Sequence, residues 1–133
     1  MNLFSFGKKK KAEKNIEMLY DEGMTLIANG YWENAFGVIS RAAEFGHRGA
    51  IGQLAMMYIF GQGCDEDRDK GIALLRESVK LGNVYSCYAF SVLYDNGIEQ
   101  ITADEAKSMC EIAANAGMEE AAERLSLGFD TEE

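Results

Sequence analysis

The sequence predicts an all-α fold, a right-handed superhelix (solenoid) of antiparallel helix pairs with about seven helices. Three observations predict it: a unit of about 36 residues recurs along the chain, apolar residues repeat at helical spacing within each unit, and the 133 residues include no proline and no alternating strand pattern of useful length. Such repeats bury their apolar faces by stacking one unit on the next.

The repeat is clearest at the glycines that close one helix of each unit. Gly46, Gly82 and Gly117 follow helical-looking segments, and each suits a helix end that needs a positive φ angle. The next helix carries equivalent positions at i, i+4 and i+8, which are Ala50, Leu54 and Tyr58, then Ser86, Phe90 and Tyr94, then Ala121, Leu125 and Phe129.

The predicted helices run over 12–29, 32–45, 48–60, 67–81, 84–95, 103–116 and 118–127. Asp67 is expected to cap the fourth helix, and Thr102 to cap the sixth in a T-x-x-E capping box with Glu105. We predict a flexible basic tail over 1–14, a single helical-repeat domain over 15–129 and an acidic tail over 130–133.

The net charge of −9 is unevenly distributed. Residues 1–14 carry five of the thirteen cations and one of the twenty-two anions, which leaves eight cations and twenty-one anions, or −13, from Asn15 onward. Because an acidic body repels nucleic acid, we expect no nucleic-acid binding through the folded domain. Leu3, Phe4 and Phe6 beside the lysines leave membrane contact by the tail as an alternative, but three apolar residues are a weak anchor and a soluble tail is favoured.

The cysteines indicate a cytoplasmic protein. Cys64, Cys87 and Cys110 are far apart and form no C-x-x-C pair, which fits reduced thiols better than a disulfide framework or a zinc site. No stretch approaches the ~20 apolar residues of a membrane span, and the opening residues place apolar side chains before charges, unlike a secretory signal.

The segment GQGCDEDRDKG spaces Asp65, Asp67 and Asp69 as calcium ligands are spaced. In a calcium loop that begins at Asp65, however, the required glycine and the bidentate glutamate fall on Lys70 and Arg76. We therefore predict a turn and a helix cap here rather than a metal site, and we expect no cofactor.

Signals of catalysis are weak. His47, the only histidine, has no nucleophile nearby and no metal-ligand spacing, and no phosphate loop or dinucleotide fingerprint occurs. We predict that the protein is not an enzyme.

Residues 50–83, AIGQLAMMYIFGQGCDEDRDKGIALLRESVKLGN, resemble a Sel-one-like repeat, a subclass of the tetratricopeptide-like helical repeats. The matching positions are Ala50, Leu54, Met57, Tyr58, Gly61, Gly63, Asp67, Lys70 and Gly82, whereas Ala55 and Gly71 exchange the glycine and alanine of the family pattern. The resemblance covers residues 16 to about 129 in about three and a half units. It implies a scaffold or adaptor that holds other proteins.

In such solenoids the first helix of each pair lines the concave face. Equivalent register then selects nine candidate partner-binding residues, which are Tyr20, Met24, Ile27, Met56, Ile59, Phe60, Tyr88, Val92 and Asp95. The segment LAMMYIF, 54–60, is apolar all round, so one face packs in the core and the other is exposed or covered. We predict that a peptide or helix binds in this groove. Two alternatives stay open: the curvature of the array buries this face internally, or a second copy of the chain covers it.

A different class of function is also consistent with the sequence. An acidic inhibitor or immunity protein would mask a basic partner such as a toxin, because opposite charge speeds encounter. Groove binding should survive added salt, whereas masking by charge should weaken steeply. The sequence does not fix the oligomeric state.

Overall fold

The computed structural model describes residues 3–129, which form seven helices and no strand. The helices are α1 (Leu3–Ala28), α2 (Trp32–Glu44), α3 (Arg48–Phe60), α4 (Arg68–Lys80), α5 (Val84–Asp95), α6 (Ala103–Asn115) and α7 (Glu119–Ser126). The predicted all-α repeat fold is confirmed. Predicted and observed helix ends differ by no more than one residue, except that α1 begins at Leu3 instead of residue 12.

The helices form two compact units. The amino-terminal unit runs up to Ser78 and contains α1, α2, α3 and most of α4, and the carboxy-terminal unit begins at Val79 and contains α5, α6 and α7. The division into a basic tail, one repeat domain and an acidic tail stays a prediction, and residues 130–133 lie outside the described part of the chain.

The helices end at the predicted glycines and begin at the predicted capping residues. The backbone of Gly46, Gly82 and Gly117 has φ angles of 84°, 86° and 99°, which a side chain would strain. The Lys70 N–H donates a hydrogen bond to Asp67 Oδ1 at 3.1 Å, and the Glu105 N–H donates one to Thr102 Oγ1 at 3.1 Å. Both predicted caps are therefore confirmed.

Close helix packing explains the exchange of Ala55 and Gly71 relative to the family pattern. A Cβ atom on Gly71 of α4 would lie 2.7 Å from the Ala55 carbonyl oxygen of α3 and 2.5 Å from Ile59 Cγ1. Ala55 is fully buried at this crossing. The close approach of α4 to the backbone of α3 therefore requires glycine at position 71, where the family pattern has alanine.

Candidate partner-binding surface

The candidate residues of the amino-terminal unit lie on α1 and α3. Tyr20, Met24 and Ile27 of α1 are half-buried and pack against a core formed by α2 and α3. On α3, Met56 is half-buried and Phe60 is 42% exposed. We call these five residues the α1–α3 surface.

Ile59 lies in the core instead of on this surface. It is 1% exposed because it packs over the bare backbone of Gly71. Most of the apolar run 54–60 is likewise internal, since Leu54, Ala55 and Met57 are also buried.

Three side chains of the run are at least partly exposed, those of Met56, Tyr58 and Phe60. The Tyr58 ring packs edge-on against Phe36 at 5.5 Å and carries the Lys70 ammonium at 4.6 Å, so contacts within the unit occupy it. Met56 and Phe60 are one helical turn apart on a common face of α3. Phe60 is the one residue of the run that is exposed, and Met56 beside it is half-buried.

A cluster around His47 joins α1 to the start of α3. His47 Nδ1 accepts a hydrogen bond from the Ala50 N–H at 3.0 Å, and Nε2 lies 2.8 Å from a Glu17 carboxylate oxygen. The imidazole also stacks on the Tyr20 ring, with centroids 4.3 Å apart. Nδ1 must be unprotonated to accept this bond, so the proton lies on Nε2 and is donated to Glu17.

The absence of a side chain at Gly49 allows Tyr20 to pack in this cluster. A Cβ atom on Gly49 would lie 3.2 Å from Tyr20 Cζ, so the tyrosine ring lies directly over the backbone of α3. The contact fixes the Tyr20 end of the α1–α3 surface. The cluster was not predicted from the sequence, because histidine is not one of the usual N-cap residues.

Replacing His47 with alanine should lower the free energy of unfolding by about 1–2 kcal/mol, because the first turn of α3 loses its cap and the link to α1. His47→Asn should cost about half as much, since asparagine restores the capping acceptor but neither the stacking nor the bond to Glu17. Urea unfolding of the two variants measures the difference. Equal losses would mean that the cap contributes little.

The GQGCDED turn packs on the start of α2. Gly61 and Gly63 have φ angles of 64° and 76°, and a Cβ atom on Gly63 would overlap the Trp32 carbonyl group. An open cleft of about 510 Å3 lies beside this contact, lined by Trp32, Glu33, Gly61, Gly63, Cys64 and Asp65. Burial and the Asp65 charge raise the pKa of the Cys64 thiol, which keeps the sulfur protonated and poorly nucleophilic.

The acidic residues of the turn do not converge. Asp67 caps α4, Glu66 accepts a hydrogen bond from Arg68 Nε at 2.9 Å, and residues from Arg68 onward are helical. Within residues 3–129, no group of three or more His, Cys, Asp or Glu side chains is arranged to hold a metal ion.

In the carboxy-terminal unit the candidate residues have different environments. Tyr88 and Val92 are half-buried on α5. Tyr85 is 78% exposed one turn earlier, and the spacing i, i+3, i+7 places it on the same helix face. We call these three residues the α5 stripe. The sequence prediction did not include Tyr85, which stands one turn before the first candidate position on α5.

Asp95 is a structural anchor within the carboxy-terminal unit. Arg124 Nε and Nη2 of α7 each donate to one Asp95 carboxylate oxygen at 2.7 Å, and the guanidinium lies 3.8 Å from the centroid of the Phe129 ring. The bond to Asp95 raises the pKa of Arg124. A carboxylate engaged in a bidentate pair is less available to a partner than one that faces solvent.

Short-looped helix pairs with glycine at the crossings define a helical-repeat protein. Residues 2–92 match the family model described as Plant tetratrico peptide repeats, and the chain belongs to this tetratricopeptide repeat family. Proteins built from such repeats are generally protein–protein interaction modules.

A solved structure shows the same fold. The chain is similar to the crystal structure of a Sel1 repeat protein from Oxalobacter formigenes, with a TM-score of 0.65 and 24% sequence identity over 85% of this chain. The match covers 49% of that protein, so the chain spans about half of its length. The tetratricopeptide-like family and the Sel1-like fold predicted from the sequence are thereby confirmed.

The helices also bear on membrane insertion. Over the described residues, no helix is both long enough and apolar enough to cross a bilayer.

Proposed function

We propose that this protein is a non-catalytic adaptor or scaffold that binds a peptide or helix of another protein on the α1–α3 surface. The observation that carries the proposal is the exposure of Phe60, which is 42% accessible one helical turn beyond half-buried Met56. A large aromatic side chain held on a helix face gains free energy when a partner removes it from water.

The chemistry of the surface favours a peptide or helix. Aromatic residues and methionine are enriched at the centres of protein interfaces, and methionine adapts its shape to different partners. The half-buried stems of Tyr20, Met24 and Ile27 are already held by the core. A partner therefore meets side chains that lose little further conformational freedom on binding.

The α5 stripe offers a second surface with similar chemistry. Tyr85 exposes 78% of its surface, whereas Tyr88 and Val92 are half-buried behind it on the same helix face. We include it as an additional contact for a protein partner. Asp95 and Ile59 are left out of the proposed contact residues because one is paired and the other is buried.

The environments of the reactive side chains favour binding over catalysis. Burial raises the pKa of the Cys64, Cys87 and Cys110 thiols, which opposes thiolate formation. His47 already uses both ring nitrogens in the contacts to Ala50 and Glu17. Three free thiols also fit a reducing compartment, and we propose the cytoplasm as the place of action.

The acidic charge supports the alternative of an inhibitor or immunity protein that masks a basic partner. Exposed carboxylates are concentrated around the start of α4, at Asp65, Glu66, Asp67 and Asp69. Complementary charge of this kind acts over about 8 Å at physiological ionic strength and is weakened by salt. Such a partner would bind the charged turn and would not need Phe60.

Affinity capture at two salt concentrations separates the two functions. The tagged protein is incubated with a lysate of its source cells in about 0.1 M and about 1 M NaCl, and retained proteins are identified by mass spectrometry. An adaptor that uses the α1–α3 surface retains its partner at both concentrations. Loss of every partner at high salt would contradict the adaptor proposal and favour charge masking.

A further inference from the structure

Helix α1 is twice as long as the helix with which it pairs. It has 26 residues against 13 in α2, which corresponds to about 39 Å against about 20 Å at 1.5 Å per residue. Among the described side chains, those of residues 7, 8 and 10–15 are exposed, and Ile16 is the first that is partly buried. All of the described side chains in the first half of α1, residues 3–14, are therefore exposed, and we call this half the basic arm.

The charge of the basic arm is opposite to that of the rest of the chain. Residues 8–14 carry five lysines and one glutamate, or +4, whereas the chain from Asn15 onward carries −13. The helical rise places Lys8 about 12 Å and Lys11 about 8 Å along the axis from Ile16. These distances equal or exceed the screening length of about 8 Å at physiological salt, so an anionic surface at the arm is partly screened from the acidic body.

We propose that the basic arm docks this protein on an anionic lipid surface. A lysine cluster attracts anionic headgroups, and Leu3, Phe4 and Phe6 precede the lysines on the same helix. The lysines supply electrostatic attraction to the headgroups and the apolar residues add a weak insertion, so the two together bind more strongly than either alone. An acidic protein partner would satisfy the lysines alone and would leave the three apolar residues unexplained.

The helical conformation adds to what the sequence alone shows. The sequence favours a soluble tail because three apolar residues are a weak anchor and because chain termini are often poorly ordered. In a helix the same residues are held in a fixed order along one axis, with the apolar ones farthest from the acidic body. The proposal does not depend on the function of the α1–α3 surface, which begins at Tyr20.

Vesicle sedimentation with a pair of charge-matched variants tests the proposal. The vesicles are phosphatidylcholine with or without about one third phosphatidylglycerol. The full chain is compared with a triple variant of the arm, Lys8→Gln, Lys10→Gln and Lys11→Gln, and with a control triple variant, Lys70→Gln, Lys80→Gln and Lys107→Gln. All six lysines are exposed, and glutamine supports a helix about as well as lysine.

The full chain should sediment with the anionic vesicles and stay in solution with the neutral ones. Each lysine near an anionic surface strengthens binding about fivefold, so the arm variant should bind about 100-fold more weakly while the control binds like the unaltered chain. Circular dichroism should show an unchanged melting temperature for the arm variant and one at most a few degrees lower for the control, which loses the contact of Lys70 with Tyr58. A further variant with Phe4→Ser and Phe6→Ser should also lose binding, because the lysines alone are then left.

Three results would overturn the proposal: no sedimentation of the full chain with anionic vesicles, equal weakening in the two lysine variants, or full binding by the serine variant. A fourth result would show that the arm binds a second copy of the chain. Salt-sensitive self-association without vesicles that the arm variant abolishes would assign the arm to the acidic body of another molecule.

Discussion

Replacing Gly63 with alanine should lower the free energy of unfolding of the amino-terminal unit by about 3 kcal/mol. The residue has a φ of 76°, which strains any side chain, and the new Cβ atom would overlap the Trp32 carbonyl oxygen. The Trp32 carbonyl carbon would lie only 2.6 Å away and the Glu33 nitrogen 3.1 Å away. These are backbone atoms at the start of α2, which cannot rotate away as a side chain can.

Gly30→Ala is the matched control, because Gly30 lies in the same unit and has a φ of 81° with nothing within 4 Å of the new Cβ. It should cost about 1 kcal/mol, from backbone strain alone. Urea unfolding followed by tryptophan fluorescence measures both, since Trp32 is the only tryptophan and lies at the contact. Equal losses in the two variants would mean that the turn does not brace α2.

Replacing Phe60 with glutamate should weaken binding of a captured partner peptide by about 100-fold. The change removes an apolar contact of about 1.5–3 kcal/mol and adds a carboxylate that must lose water when the partner covers it. Isothermal titration calorimetry with the purified partner peptide measures the loss. Because Phe60 is 42% exposed, we expect the melting temperature to fall by only a few degrees.

Phe45→Glu is the control for charge and surface change. Phe45 is a more exposed phenylalanine, at 63%, and it follows α2 outside the α1–α3 surface. Its affinity should be within about twofold of the unaltered protein, a difference of ~0.4 kcal/mol. If Phe45→Glu weakened binding as much as Phe60→Glu, added negative charge would be the cause and the assigned surface would be wrong.

Most helix ends were predictable because their signals are local. Asp67 and Thr102 each stand one position before a helix and cap a backbone N–H three residues later. Gly46 and Gly82 mark ends because a positive φ is a property of one residue. The repeat then carried this local information from one unit to the next.

The start of α1 was not predictable by the same means. Its first turn holds no acidic residue, and the lysines that follow oppose the positive end of the helix dipole. A sequence with these properties is typical of a tail.

The site was only partly predictable because exposure depends on distant residues. The apolar run 54–60 does not indicate which of its faces is covered, and Ile59 is buried because Gly71 brings α4 close. Asp95 is still exposed, but it pairs with Arg124, which stands 29 positions later in the sequence. Contacts of this kind arise from tertiary packing, which periodicity within one helix does not describe.

Photo-crosslinking from position 60 tests the central claim most directly. A benzoylphenylalanine is introduced in place of Phe60 in one variant and in place of Phe45 in another, and each is irradiated in a lysate of the source cells. We predict that the variant with the crosslinker at position 60 forms a discrete crosslinked product, and that this product persists in about 1 M NaCl. The variant with the crosslinker at position 45 should not form it. Crosslinks from position 45 alone, or none from position 60 under conditions in which the unaltered protein captures its partner, would contradict the assignment of the α1–α3 surface.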